Sequence, residues 1–132
     1  MNLLIIDDDN ICSFLNTRVA QMSGIFKEIQ SVHNGRDAME VIEEASKGNT
    51  SAPDVILLDL NMPVMNGFDF VQALQDSSIP DKHKLSIVIL TSSDNSVDME
   101  RARSCGIKHY LRKPLTINDL HRTVFALNKA KC

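Results

Sequence analysis

Asp59 closes a short apolar run, Asp54-Val55-Ile56-Leu57-Leu58, and an acidic triplet, Asp7-Asp8-Asp9, closes another, Asn2-Leu3-Leu4-Ile5-Ile6. Carboxylates at the ends of two buried strands meet at one edge of a sheet. There each pair of charges repels by roughly 4 kcal/mol at about 4 Å and an effective dielectric near 20, and a bound cation offsets that cost. An all-oxygen site of one or two carboxylates, a backbone carbonyl and water suits Mg²⁺, whereas zinc would want His or Cys. Two other runs end in groups that belong at the same edge: Leu90 leads into Thr91-Ser92-Ser93, and His109 to Arg112 into Lys113-Pro114. A hydroxyl and a lysine thereby join the acids.

Each of these residues also has a plainer reading. The triplet could cap a helix starting at Asn10, since carboxylates favour helix N-termini by about 0.3–1 kcal/mol. One acid suffices for that, and Asp9 fits best as the cap or as an exposed neighbour. Lys113 by itself would be a surface lysine; its strand-end position beside Pro114 argues for more. Thr91 could satisfy backbone at a strand end, and Tyr110 could be an ordinary strand residue. Met62-Pro63 and Asn66-Gly67 read as turn chemistry, with Pro setting φ and Gly permitting φ > 0. His33, His83, His109 and His121 have no metal-ligand spacing and are expected at the surface or facing a partner.

The elements that must position these groups follow from the apolar pattern. Strands are expected at Leu3 to Ile6, Glu28 to Val32, Val55 to Leu58, Ile87 to Leu90 and His109 to Arg112. Helical spacing of Ile11, Phe14, Leu15, Val19 and Met22 predicts a helix over Asn10 to Met22, stopped by Gly24. A second helix, Gly35 to Lys47, carries Ala38, Met39, Val41, Ile42 and Ala45. Three more are expected at Phe68 to Leu74, Val97 to Cys105 and Ile117 to Lys129. Strands alternating with helices at this spacing form right-handed βαβ units, giving an α/β, doubly wound fold with a parallel sheet between helices. The first and third runs lack apolar–polar alternation, as strands covered on both faces do. In such sheets ligands sit beyond the carboxyl ends of the strands, where the acids, Thr91 and Lys113 all fall.

At 132 residues the chain suits a single domain, 1–132, with no output domain attached. Its 43% hydrophobic and 23% charged content is that of a soluble globular protein. No apolar stretch approaches a membrane span and no secretory leader is present, so a cytoplasmic location is expected. A net charge of −3 with scattered Lys and Arg gives no footprint for nucleic acid. Cys12, Cys105 and Cys132 form no Cys-x-x-Cys pair, and packing or idle exposure is their default.

The ordered set Ile5-Ile6-Asp7-Asp8-Asp9, Asp59-Leu60-Asn61-Met62-Pro63 with Asn66-Gly67, Leu90-Thr91-Ser92 and Lys113-Pro114 resembles a response-regulator receiver domain of two-component signalling, of the single-domain chemotaxis-regulator type. The resemblance implies a flavodoxin-like five-stranded sheet, order 2-1-3-4-5, with five helices in three layers. It implies Asp59 as phosphoacceptor, Asp8 as direct Mg²⁺ ligand, Asp7 acting on the metal through water, and the backbone carbonyl of Asn61 as a further ligand. Thr91 corresponds to the switch hydroxyl, Lys113 to the lysine that pairs with the acceptor and then the phosphoryl oxygens, and Tyr110 to the switch aromatic. Lys113-Pro114 corresponds to a peptide bond that is usually cis in the family, a form only X–Pro bonds adopt at low cost.

The donor so implied is a phosphohistidine on a sensor histidine kinase or phosphotransfer protein. The readout is a protein target recruited by the fourth helix, fifth strand and fifth helix, with the protein a monomer or a phosphorylation-dependent dimer. Such a chain is a signalling phosphoacceptor that assists its own phosphorylation and dephosphorylation, not an enzyme acting on external substrates. Asn61 and Ser93 flank the expected path of attacking water and are expected to modulate phosphoryl lifetime. Three other readings compete. An aspartyl-phosphate phosphatase would need an acid two residues after its nucleophile, where Asn61 stands. A flavin-binding relative would not place three acids where a phosphate must sit. A pseudo-receiver would keep the fold and work without phosphorylation.

Overall fold

An apolar run without alternation must bury both faces of its strand, and each strand here sends successive side chains into two different cores. Leu4, Ile6, Ile56, Leu58 and Ile89 enter one core with residues of the second, third and fourth helices. Leu3, Ile5, Val55, Leu57, Val88 and Leu90 enter the other with residues of the first and fifth. The computed structural model describes residues 1–60, 67–80, 84–92 and 96–130. Its strands are β1 (Asn2–Ile6), β2 (Glu28–Val32), β3 (Val55–Asp59), β4 (Ser86–Thr91) and β5 (His109–Arg112), all parallel and ordered β2-β1-β3-β4-β5. The helices are α1 (Asn10–Ser23), α2 (Gly35–Ser46), α3 (Gly67–Asp76), α4 (Ser96–Ser104) and α5 (Ile117–Ala130). This is the doubly wound, three-layer fold expected, and the element limits differ from the expected ones by at most two residues.

Strand register brings the chemistry together. Ile6 pairs with Leu58, so Asp7 falls level with Asp59. Asp59 pairs with Leu90, which puts Thr91 one residue beyond, and Thr91 pairs with Arg112, which puts Lys113 one residue beyond again. The Lys113-Pro114 bond is cis.

The first helix differs from its pattern in one respect. Periodicity identifies α1, but the face it buries is Ser13, Asn16 and Ala20. Ile11, Phe14, Leu15 and Met22 are 54–73% exposed. Spacing states which residues share a helix face; which face meets the sheet depends on how the helix is seated against its neighbours.

Candidate functional site

The acids converge as expected. Asp7, Asp8 and Asp59 each offer a carboxylate oxygen, and the three lie within 4.8 Å of one another. Asp7 and Asp59 are buried, at 1% and 7% exposed, while Asp8 opens to solvent. Buried carboxylates need partners. Among the described residues Asp7 has two: its Oδ1 accepts from the backbone N–H of Asp9 at 3.0 Å, and its Oδ2 accepts from Lys113 Nζ at 3.4 Å. Lys113 Nζ also stands 3.7 Å from Asp59 Oδ2. One ammonium thus lies between two acids, at distances longer than the ~2.7–2.9 Å of a committed charge-assisted bond.

Burial of Lys113 works against its charge, but Asp59 and then Asp7 outweigh it and raise its pKa above the ordinary 10.5. One lysine facing three carboxylates leaves the cluster net negative. The donor set is entirely oxygen, one acid is open to solvent, and these features fit a hard divalent cation such as Mg²⁺.

Asp9 takes a different part. Its Oδ1 accepts from the backbone N–H groups of Ile11 and Cys12, capping α1, and those two bonds lower its pKa. The triplet therefore divides into two site acids and one cap. Cys12, half-buried in the first turn of α1, shares the same field: burial pushes its thiol up, Lys113 pulls it down, and Asp7 and Asp9 push it up again. The net effect is a thiol pKa above its ordinary value.

Thr91 is fully buried at the end of β4, and its carbonyl accepts from the Lys113 backbone N–H at 2.8 Å. Tyr110 lies in β5, three residues before Lys113. It pairs with Ile89, packs half-buried against the α2–α4 core, and lines a groove of about 360 Å³ with Met99, Ala102, Arg103 and Ile107. Asn61 and Ser93, like Met62-Pro63, Asn66 and His83, lie outside the described residues.

Sequence reasoning misjudged one residue of the site. Gly67 reads from sequence as a turn glycine that permits φ > 0, but the glycines with positive φ are Gly24, Gly48 and Gly106. What Gly67 supplies is space, because a Cβ there would meet the Asp59 carbonyl oxygen and Leu60 Cα, each at 2.9 Å. Its N–H donates to the Leu60 carbonyl at 3.0 Å, so the start of α3 is pressed against the strand end that carries Asp59. The only signal in the sequence was a glycine shortly after Asp59; the close approach that requires it exists only in the fold.

A 2-1-3-4-5 parallel sheet with paired acids at β1, a third at β3, a hydroxyl at β4 and a lysine after β5 defines the receiver class of signalling proteins. The family model for the response regulator receiver domain matches residues 3–125, and the chain belongs to that family. It is 28% identical to a probable chemotaxis protein CheY of Rhizobium etli over 96% of this chain and 92% of that protein. A two-component response regulator from Cytophaga hutchinsonii has a similar structure, with a TM-score of 0.87 and 32% identity over 97% of this chain and 96% of that one. Response regulator Rcp1 of Synechocystis is 28% identical over 92% of this chain and 82% of its own length. The solved Mn²⁺-bound form of response regulator Rcp1 gives a TM-score of 0.73 and 28% identity over 93% of this chain and 88% of that one.

Proposed function

We propose that this receiver domain is a phosphoacceptor switch in a two-component or phosphorelay pathway, with Asp59 taking a phosphoryl group from a phosphohistidine donor in the presence of Mg²⁺. The observation that carries the reading is the lysine held between Asp7 and Asp59 in an otherwise all-carboxylate cluster. An Asp59 carboxylate oxygen attacks phosphorus, forming an O–P bond as the donor's N–P bond breaks, and the departing imidazole takes up a proton. Lys113 follows the negative charge from the carboxylate to the phosphoryl oxygens. Asp7 and Asp8, with Asp59 and the backbone carbonyl of Asn61, would hold Mg²⁺, Asp7 through water. The ion would neutralise charge on the phosphoryl oxygens. The Mn²⁺-bound form of Rcp1 supports a divalent cation in this family.

The new phosphoryl charge attracts the Thr91 hydroxyl and draws the end of β4 inward. Tyr110 then moves toward the space that Thr91 leaves, altering the face of α4, β5 and α5. The groove beside Tyr110 and the exposed Val97 and Met99 of α4 support that face as the one recognised by a downstream protein. On the same reading the protein works in the cytoplasm, as a monomer or a phosphorylation-dependent dimer. Asn61 and Ser93 set the phosphoryl lifetime, and substituting them changes the dephosphorylation rate more than the fold.

Among the described residues no helix is long and apolar enough to cross a membrane. The exposed apolar side of α1 supports a place for the donor. α1 begins directly after Asp8 and Asp9, and a donor presenting a phosphohistidine to Asp59 must cover the adjoining Ile11, Phe14 and Leu15.

Intact-mass measurement after incubation with Mg²⁺ and acetyl phosphate or phosphoramidate tests the reading. A gain of one phosphoryl group that disappears in Asp59→Asn is expected. No gain in the native protein would sink it and leave a phosphorylation-independent interaction module.

A further inference from the structure

We infer that Arg101 of α4 is a positioning residue for the phosphoacceptor: its guanidinium, laid over the Phe68 ring, holds the start of α3 against the strand end that carries Asp59. This role depends on the reading of Asp59 as acceptor and adds a residue beyond the acids, the hydroxyl and the lysine. Arg101 Cζ stands 4.3 Å from the centroid of the Phe68 ring, inside the ~6 Å reach of a cation–π contact. A guanidinium suits that place because it is planar and more weakly hydrated than an ammonium.

Local structure explains why these two side chains meet. α4 follows β4 and so starts from the edge of the sheet that carries the acids. Helix side chains lean toward the N-terminus, and Arg101, in the middle of α4, reaches back toward that edge. Phe68 is the second residue of α3, which starts from the same edge after β3. Both helices border one core, which holds Leu60, Phe68 and Ala102. Phe68 is 7% exposed while Arg101 is open to solvent, so the arginine covers the ring on its outer side. Little else seats α4: among its described side chains only Ala102 is buried.

From Phe68 the contact passes to the acceptor strand through one residue. Gly67 has no room for a Cβ, which would lie 2.9 Å from the Asp59 carbonyl oxygen and from Leu60 Cα and Cδ2. Its N–H donates to the Leu60 carbonyl at 3.0 Å. Segments packed that closely move together, so a shift of Phe68 displaces Gly67 against the backbone of Asp59 itself. Attack on phosphorus needs the carboxylate oxygen aligned with the leaving group, and small displacements there cost rate. A solvent cover for Phe68 would need only the aliphatic stem of Arg101; the positioning role needs its charge on the ring. Such a contact at an exposed site is worth a factor of about two to five in an equilibrium.

Labelling rates from acetyl phosphate and from phosphoramidate with Mg²⁺, on protein shown by circular dichroism to be folded, test the assignment. Arg101→Gln should be labelled about threefold more slowly than the native protein by both donors. Arg101→Lys, which restores a cation, should recover part of the rate. Phe68→Leu keeps an apolar side chain without the ring; it should show the same loss, and adding Arg101→Gln to it should cost nothing more. A merely structural role would leave folded Arg101→Gln at the native rate. Attraction of the donor anion by Arg101 would instead slow acetyl phosphate more than the less charged phosphoramidate, persist in Phe68→Leu, and fade between about 0.05 and about 0.5 M salt. Either result overturns the proposal, as does additivity of the two substitutions. Native protein that takes no phosphoryl group sinks the acceptor reading and this role with it, whereas normal labelling indifferent to Arg101→Gln sinks this role alone.

Discussion

The backbone N–H of Lys113 donates to the carbonyl of Thr91 at 2.8 Å, while the side chain of the same lysine lies between Asp7 and Asp59. On the proposed reading, the residue that would sense charge at Asp59 is thereby bonded to the residue that would move when that charge changes. β4 and the loop after β5 are coupled at the point where the switch must act.

That position makes stability depend on alkaline pH. The folded-state pKa of Lys113 is raised above the ordinary 10.5 by Asp59 and Asp7, against the opposing effect of burial. Below 10.5 folded and unfolded chains both hold the proton and the lysine contributes fully. Above 10.5 the unfolded chain releases it first, and the contribution is lost as pH rises through the raised folded value. Lys113→Met keeps the backbone bond to Thr91 but has no titrating group. Urea unfolding from about pH 8 to about pH 12 should show the stability gap between native protein and variant shrinking across that window. A constant gap would refute the coupling.

Gly67→Ala separates two opposed effects. Ala restricts the unfolded chain more than Gly, which favours the variant by about 0.4–1 kcal/mol, yet at this first residue of α3 its Cβ would fall 2.9 Å from backbone atoms of Asp59 and Leu60, which cannot rotate away. Overpacking should win, with a net loss of about 1–3 kcal/mol in urea titrations and slower acceptance from acetyl phosphate as the Asp59 strand end shifts. A more stable variant would show that the close approach is relieved at little cost.

Asn16, on the buried face of α1, is 6% exposed, and its Nδ2 has no hydrogen-bond partner among the described residues. An unsatisfied buried amide costs about 1–3 kcal/mol. Asn16→Leu, with the same branching and heavy-atom count and free of that donor, is therefore expected to raise the unfolding free energy by about 1 kcal/mol without altering phosphorylation. A destabilised variant would mean that the amide is paired.

The exposed apolar side of α1 should matter to a protein donor and not to a small one. Phe14→Asp and Leu15→Asp place charges on side chains that are 65% and 54% exposed, so folding should be unaffected. Phosphoryl transfer from a histidine-phosphorylated protein should fall by about tenfold or more, while labelling by acetyl phosphate stays at the native rate. Equal loss with both donors would implicate the Asp59 site, and no loss with either would remove α1 from donor docking.

The alternation of apolar runs with helical spacing was sufficient to give the order of elements, because strand and helix periods are local properties of the chain. The site acids were legible for a related reason: a carboxylate that ends an unalternating apolar run has nowhere to go but the rim of a parallel sheet. The same reasoning reached Thr91 and Lys113, and it separated Asp9 from its neighbours as the cap.

What the chain could not state by itself depends on distances between segments. The need for glycine at position 67 arises from backbone eight residues earlier that meets it only after folding. The outward face of α1 is set by how the helix is seated, since an apolar stripe marks a shared face without marking its direction. The contact between Arg101 and Phe68 joins two helices whose own patterns announce no pairing. Sequence periodicity and the residue types at the run ends determined the local geometry and which polar groups share the rim, and tertiary structure decided every property that depends on two segments approaching to within a few ångströms.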